Sequence, residues 1–188
     1  VQERSPKELK LIRTFNPKII LLAYVPASEI RRDVNTLSQI APVRSKLGTR
    51  IPEAAYLKDA SGSRRSFWPG TWIVDVTAAA PKFETAYGLL RFNEYLPEFV
   101  AKEILSTGLW DGVFYDNAWD NIVHFARSIP DIDRNGIEDN ADEARAAWQE
   151  GLRAIYRRTY AISPNYFVFE NDGPLYAPEV HGVLLESF

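Results

Sequence analysis

The sequence predicts an α/β fold of the (β/α)8 TIM-barrel type, of which this chain supplies about five strands. Amphipathic helical patterns alternate with short apolar runs, which is typical of βα units around a parallel sheet. The runs are almost continuously apolar or aromatic, as expected for strands that are covered on both faces. The candidate strands are residues 19–24, 72–76, 112–116, 166–170 and 182–186.

The chain is shorter than a closed barrel. A complete barrel has eight strands in roughly 250 residues, whereas this chain has 188 residues. An apolar run ends at Phe188 with no helix after it to cover it, and an exposed apolar strand favours aggregation. We therefore expect residues 1–188 to form one barrel domain of catalytic type, in a longer protein that begins before Val1 and continues past Phe188.

Capping signals locate the first two helices. Ser5 and Glu8 have the spacing of a capping box, which predicts a helix from that point to Asn16. Its buried face is expected to carry Leu9, Ile12 and Phe15. A second helix is predicted from the apolar positions after Phe92, with Asn93 as its cap and Gly108 as its end.

A longer helix is predicted from residue 141 to residue 161. Apolar and small residues recur there at helical spacing, so one face of the helix should pack on the sheet. The residues expected on that face are Ala144, Trp148, Leu152, Ile155 and Thr159.

The composition excludes several classes of protein. The formal net charge is −3 and the paired arginines are scattered, whereas a nucleic-acid groove needs a concentrated excess of Lys and Arg. No apolar run reaches the roughly 18 residues of a membrane span. Cysteine is absent, which excludes disulfides, a thiol nucleophile and Cys-ligated metals. No glycine-rich dinucleotide or phosphate loop occurs, so no cofactor is expected to be required.

Four candidate strands carry a carboxylate at or near their C-terminal end. These residues are Asp75, Asp116, Glu170 and Glu186. The C-terminal ends of parallel barrel strands meet at one rim, where barrel active sites lie. Glycoside hydrolysis needs two carboxyl groups, one to protonate the leaving oxygen and one to attack the anomeric carbon or activate water. The pattern therefore predicts a glycosidase-type site.

The sequence favours a catalytic role for the four carboxylates to different degrees. Asp116, followed by Asn117, stands where an apolar strand ends and is the sharpest catalytic candidate. Asp75 lies between two valines and is expected either to cap a loop or to bond a sugar hydroxyl. Glu170 precedes a turn sequence that begins with Asn171, so a structural role competes with a substrate-binding one.

Aromatic residues at strand ends and in the adjacent loops favour a carbohydrate substrate, because flat rings stack on the apolar faces of sugars. Tyr24 and Trp119 are the candidates for such contacts. The predicted substrate-binding set as a whole is Tyr24, Asp75, Asn117, Trp119, Glu170 and Asn171.

A second motif begins at Asp131. Oxygen ligands at alternate positions and a glycine at the sixth position match the opening of a calcium loop. The predicted ligands of a structural Ca²⁺ are Asp131, Asp133, Asn135 and Asp139. The alternative interpretation is an acidic turn that caps the helix starting near Ala141.

The chain resembles the TIM-barrel glycosidases grouped as glycoside-hydrolase-like family fifteen and, more distantly, the family-114 endo-acting galactosaminidases. The Asp-Gly-Val-Phe-Tyr-Asp-Asn stretch ending at Asn117 is the most specific part of the resemblance. The other parts are Leu22 to Tyr24, Trp72 to Val76, Asp131 to Asp139, and Leu185-Glu186. In the related family, a strand-end Asp and a later strand-end Glu form the catalytic pair, so the resemblance implies Asp116 and Glu186, with Glu170 as the competing position.

Three hypotheses follow for the function. The first is hydrolysis of a poly- or oligosaccharide, with Asp116 as nucleophile or base and Glu186 as acid. The second is a non-catalytic barrel that binds carbohydrate, and the third is a structural domain of a larger secreted assembly. We expect a secreted or extracellular location. The sugar, the retaining or inverting outcome and the oligomeric state stay open.

Overall fold

The computed structural model describes residues 5–171 and 174–185, and the elements given below lie within them. The strands are β1 (Leu22–Pro26), β2 (Glu29–Arg31), β3 (Thr71–Ile73), β4 (Phe83–Thr85), β5 (Gly88–Leu90), β6 (Gly112–Asp116), β7 (Phe167–Asn171) and β8 (Gly182–Leu184). The α-helices are α1 (Pro6–Phe15), α2 (Pro42–Gly48), α3 (Phe92–Phe99), α4 (Ile122–Ala126) and α5 (Ala141–Ile162). Short 3₁₀ turns occur at Val34–Gln39, Glu53–Ala55, Leu105–Thr107 and Pro174–Tyr176.

A four-stranded parallel sheet in the order β1-β6-β7-β8 forms the centre of the fold. Helices α3 and α5 lie in the connections between its strands, which is the predicted βα arrangement. The predicted strand at residues 112–116 has the bounds of β6, and three further predicted runs supply β1, β7 and β8 with shifts of up to three residues. The mixed α/β class with a parallel sheet is therefore confirmed.

The predicted parallel strand at residues 72–76 is wrong. Residues 71–73 form β3, which pairs antiparallel with β2 outside the parallel sheet. The backbone groups that follow bond to loops instead: Val74 N–H donates to Ser28 O at 2.8 Å, and Asp75 N–H donates to Ala55 O at 2.9 Å. The run is apolar because Ile73, Val74 and Val76 are fully buried. Burial explains the composition but does not determine which strand is the partner.

The two faces of the parallel sheet have different environments. Tyr115 of β6 faces α5, where its hydroxyl lies 2.8 Å from the hydroxyl of Thr159. Side chains alternate along a strand, so Phe114 and Asp116 lie on the opposite side. We call the side of Tyr115 the helix face and the side of Asp116 the site face. Tyr24 of β1 is also on the site face, because its ring contacts Phe114 and its hydroxyl reaches Asp116.

Helix α5 covers the helix face as predicted. All five residues expected on its inner side are buried: Ala144, Trp148, Leu152, Ile155 and Thr159. The close approach also involves Gly151, where an added Cβ would lie 2.3 Å from the carbonyl oxygen of Val76. The indole N–H of Trp148 donates to Trp119 O at 2.8 Å and so ties α5 to the chain that follows β6.

Helix α1 differs from the prediction in the residues that it buries. The capping box of α1 is present, but of the three predicted inner residues only Leu9 is buried, and Phe15 is 81% exposed. The helix instead docks through the face shared by Leu9 and Arg13, which are four residues apart, and Arg13 pairs with Asp111 at 2.8 Å.

The cap of helix α3 is Arg91, two positions before the predicted cap Asn93. The backbone N–H of Arg91 donates to the Glu94 carboxylate at 2.8 Å, which closes the first turn and leaves Asn93 inside the helix. Beyond α3 the chain continues as a π-helix over Val100–Ile104. Gly108, with φ of 68°, ends the segment in the left-handed conformation, as predicted.

Among the residues described, no helix combines the length and the apolar character that crossing a membrane requires.

Candidate functional site

Asp116 ends β6 on the site face and is held by side chains from both neighbouring strands. The hydroxyl of Tyr24, from β1, donates to Oδ2, and the Asn171 amide, from β7, donates to Oδ1 at 2.6 Å. Tyr24 and Asn171 were predicted as substrate-binding residues, and the fold brings both to Asp116. A carboxylate that accepts from both sides is fixed in orientation before any ligand arrives, which favours a catalytic role.

The backbone around Asp116 is interlocked with the loop after β1. Ala27 N–H donates to Asp116 O at 2.7 Å, and the Ser28 hydroxyl donates to Asn117 O at 3.0 Å. Asn117 has φ of 54°, a left-handed conformation that asparagine tolerates better than most residues. Ala118 N–H reaches Asn171 Oδ1 at 3.4 Å. The predicted residue Asn117 is therefore buried and rigidly placed beside Asp116.

Glu29 is a second carboxyl group beside Asp116, and the sequence interpretation missed it. Its pKa is raised, first because the group is buried and also because of the negative charge of Asp116, while side-chain hydrogen bonds from Thr71 and Asn117 lower it. The Oε2 atom is buried and accepts no hydrogen bond from the described residues. The sequence signal was present, because Glu29 follows three residues after β1, but the predicted strand stopped at Tyr24.

A small cavity opens beside Glu29 with a volume of about 160 Å³. It is bounded by strand β1, the β2–β3 pair and helix α2. The residues that line it are Tyr24, Pro26, Glu29, Ile30, Arg31, Arg44, Leu47 and Thr71. Tyr24 thus lines the cavity and also contacts Asp116, so the two carboxyl groups belong to one site.

Glu170 does not lie beside Asp116. It pairs in register with Tyr115, so its side chain lies on the helix face, where it is fully buried. The alternative pairing of Glu170 with Asp116 therefore has no support from the geometry. Glu186, the other predicted partner, lies outside the described residues, as do residues 172–173 of the predicted turn sequence. The described part of β8 pairs Leu184 with Asn171.

Trp119 belongs to an aromatic cluster that follows the site loop. Its ring stacks on Phe125 with centroids 4.2 Å apart and meets Phe67 and Trp68 edge to face. One face of the Trp119 ring is thus covered by protein. Trp68 is 50% exposed, so it is the residue of this cluster that presents ring surface to solvent.

Asp75 forms a buried ion pair away from the Asp116 hydrogen bonds. Its carboxylate is 1% exposed and lies 3.2 Å from the guanidinium of Arg134, and it also accepts from Thr77 N–H at 2.9 Å. Burial raises the pKa of Asp75, whereas Thr77 and Arg134 lower it. Arg134 belongs to the acidic loop, so this pair fastens that loop to the segment after β3.

We expect Arg134→Met to destabilise the protein by about 2 kcal/mol at neutral pH, less than breaking a fully buried pair because Arg134 is partly exposed. A raised pKa in the folded state means that stability is lost as the pH rises through that pKa. Without Arg134 the pKa of Asp75 rises further, so the loss should be larger at pH 7 than at acidic pH. Urea unfolding at both pH values measures this.

The control for this prediction is the double variant Asp75→Asn/Arg134→Met. It lacks the titrating group, so the extra pH dependence should disappear. Equal destabilisation of Arg134→Met at both pH values would contradict the electrostatic explanation.

Three carboxylates of the acidic loop converge. Oxygen atoms of Asp131, Asp133 and Asp139 all lie within 4.8 Å of one another. Asp131 also accepts the backbone N–H groups of Asn135 and Gly136, and Asp139 accepts Ile132 N–H, so the loop is closed around these side chains. The oxygen-rich donor set fits a hard cation such as Ca²⁺. Asn135 Oδ1 accepts Ile137 N–H at 2.8 Å, so as a ligand it would have to exchange that bond.

Calcium binding to this loop stays a prediction. If the site binds Ca²⁺, the ion at a hundredfold excess over its Kd should stabilise the folded state by about 2.7 kcal/mol. A melting curve with and without added Ca²⁺ measures the shift, and Asp131→Asn/Asp133→Asn should abolish it. Glu150→Gln, an exposed carboxylate on α5, should leave the shift unchanged. No shift in the unsubstituted protein would leave the acidic turn as the correct interpretation.

Comparisons with known proteins agree with this fold. A family model described as hypothetical glycosyl hydrolase family 15 matches residues 13–188. No curated protein matches the chain. A solved structure of the glycoside hydrolase domain of PelA from Pseudomonas aeruginosa is similar, with a TM-score of 0.54 and 14% sequence identity. The alignment covers 95% of this chain and 52% of that one, so this chain spans about half the length of that structure. At this identity the likeness supports the fold alone.

Proposed function

The chain belongs to the hypothetical glycosyl hydrolase family 15, and from this membership and the geometry around Asp116 we propose that it hydrolyses glycosidic bonds in a poly- or oligosaccharide. Asp116 acts as nucleophile or base, and Glu186 acts as the acid that protonates the leaving oxygen. Water supplies the hydroxyl group of the new reducing end and the proton that restores the acid.

The fixed carboxylate of Asp116 is the observation that carries this proposal. It accepts hydrogen bonds from Tyr24 and Asn171, and an ionised carboxylate is a pure acceptor. Both donors come from strands adjacent to β6, so they fix the position of the Asp116 carboxylate at the C-terminal end of that strand. A substrate atom that approaches this carboxylate meets it in one orientation, and such positioning lowers the activation barrier.

We further propose that the parallel sheet is part of a (β/α)8 barrel that forms one catalytic domain. The support is the unbroken parallel order β1-β6-β7-β8 with helices in its connections. In such a barrel the site face is the interior, and the strand ends beside Asp116 form the catalytic rim.

The proposed substrate contacts centre on the neighbours of Asp116. Tyr24, Asn117 and Asn171 surround the carboxylate, and Trp119 with its exposed neighbour Trp68 offers aromatic surface further along the loop. The buried positions of Asp75 and Glu170 support structural roles for these two residues in place of direct sugar contact. We propose a secreted protein that meets its glycan outside the cell.

A panel of poly- and oligosaccharides incubated with the full-length protein tests the proposal, with reducing ends and released fragments as the readout. We expect new reducing ends from at least one glycan. Binding of a glycan without cleavage would favour a carbohydrate-binding barrel. Neither binding nor cleavage would favour a structural domain.

A further inference from the structure

Glu29 has surroundings that differ from those of an ordinary surface glutamate. It is the first residue of β2 and is partly buried, while its Oε2 atom is fully buried and has no hydrogen-bond partner among the described residues. An ionised oxygen that is removed from water without a donor is costly, whereas a protonated carboxyl group costs much less. The geometry therefore favours the neutral acid at this position.

The groups around Glu29 leave its pKa raised on balance. Asp116 from β6 is a like charge, and it raises the pKa of Glu29 in addition to burial. Tyr24 from β1 and Arg44 from α2 line the same cavity, as does Arg31 of β2, which is already paired with Asp33 at 2.6 Å. Side-chain hydrogen bonds from Thr71 and Asn117 favour the ionised form, yet the net direction for the pKa of Glu29 is upward.

A protonated carboxyl group at this place needs an acceptor for its proton. The cavity of about 160 Å³ beside it has room for a ligand group or for water, and Tyr24 connects this cavity with Asp116. An oxygen of a sugar held against Asp116 is an acceptor of the right kind, because sugars carry hydroxyl and ring oxygens.

We propose that Glu29 works in the site as a neutral carboxylic acid whose carboxyl O–H donates a hydrogen bond to an oxygen of the sugar bound against Asp116. This inference rests on the proposed function. It assigns Glu29 to substrate binding and not to proton transfer, so no bond is made or broken at Glu29 during the reaction.

Two substitutions separate this role from its alternatives. Glu29→Gln is neutral at every pH and keeps a donor, so at a pH below the pKa of Glu29 kcat/KM should stay within about threefold of the unsubstituted value, less than the cost of losing a hydrogen bond. Glu29→Ala removes the donor and should lower kcat/KM by about 10- to 100-fold. Melting curves of both variants establish that they fold.

The pH profile provides a readout that a purely structural role would not move. In the unsubstituted protein, kcat/KM should fall as the pH rises through the raised pKa of Glu29, and Glu29→Gln should remove that limb. An inactive Glu29→Gln with normal melting would overturn the inference, because it would mean that Glu29 transfers a proton. Full activity of Glu29→Ala would overturn it as well.

A measurement without substrate keeps this inference separate from the proposed function. Carboxyl ¹³C NMR of glutamate-labelled full-length protein, with Glu29→Gln to assign the signal, follows the ionisation of Glu29 directly. We expect Glu29 to titrate above the reference glutamate pKa of about 4.3, and to titrate at lower pH in Asp116→Asn. A Glu29 signal that titrates with the exposed glutamates would overturn the inference, even if the protein cleaves glycans. A raised titration in a protein that cleaves no glycan would contradict the proposed function alone.

Discussion

Replacement of Asp116 by asparagine should lower kcat by about a thousandfold or more, within the range that acid–base and nucleophilic groups contribute. Asparagine keeps the shape of the side chain and can still meet Tyr24 and Asn171, so folding should be preserved. It has neither the negative charge to attack an anomeric carbon nor the basicity to activate water. Initial rates on a cleaved glycan, together with a melting curve, measure the effect.

Asp111→Asn is the matched control, because Asp111 immediately precedes the opposite end of β6 and pairs with Arg13. This variant can lose some stability but should retain turnover. Glu186→Gln should lower the rate in the same manner as Asp116→Asn if Glu186 is the acid. Near-normal turnover of Asp116→Asn would remove Asp116 from the catalytic role.

Gly151→Ala should destabilise the protein by about 3 kcal/mol, at the upper end of the range for overpacking. In an exposed helix the same change is stabilising, because alanine is favoured over glycine by about 1 kcal/mol. At Gly151 the new methyl group would lie 2.3 Å from the oxygen and 2.7 Å from the carbon of the Val76 carbonyl. Backbone cannot rotate out of the way as a side chain can, so α5 and the segment after β3 must move apart. Denaturant unfolding measures the loss.

Ala146→Gly on the exposed side of α5 is the companion variant. It should cost about 1 kcal/mol through helix propensity alone. If Gly151→Ala raises the stability of the protein, then α5 does not pack on the Val76 backbone as described.

The sequence predicted best those elements whose pattern is local. Asp116 was placed correctly at the end of β6, because the strand is continuously apolar and ends abruptly in Asp-Asn. The inner face of α5 was also correct, because helical periodicity over 22 residues leaves little ambiguity. Both features depend on the spacing of side chains within a single element.

The sequence failed where the outcome depends on a partner that is distant in the chain. Residues 72–76 are as apolar as a central strand, but their backbone groups bond to the loops at Ser28 and Ala55. Glu29 was missed for the same reason, because only the docking of β1 beside β6 places it next to Asp116. The tertiary fold buries the carboxyl group of Glu29 and so raises its pKa. The local sequence does not indicate that burial.

The hydrogen bonds to Asp116 also have a consequence for folding kinetics. Tyr24 and Asp116 are 92 residues apart, and Asn171 is 55 residues beyond Asp116. Parallel pairings of this kind require large loops to close before any contact is gained, which makes them slow to form. The helices, with their local bonds, should therefore appear earlier in refolding than the carboxylate environment. A refolding experiment that follows helix content and ligand binding separately should find binding competence recovered in the later phase.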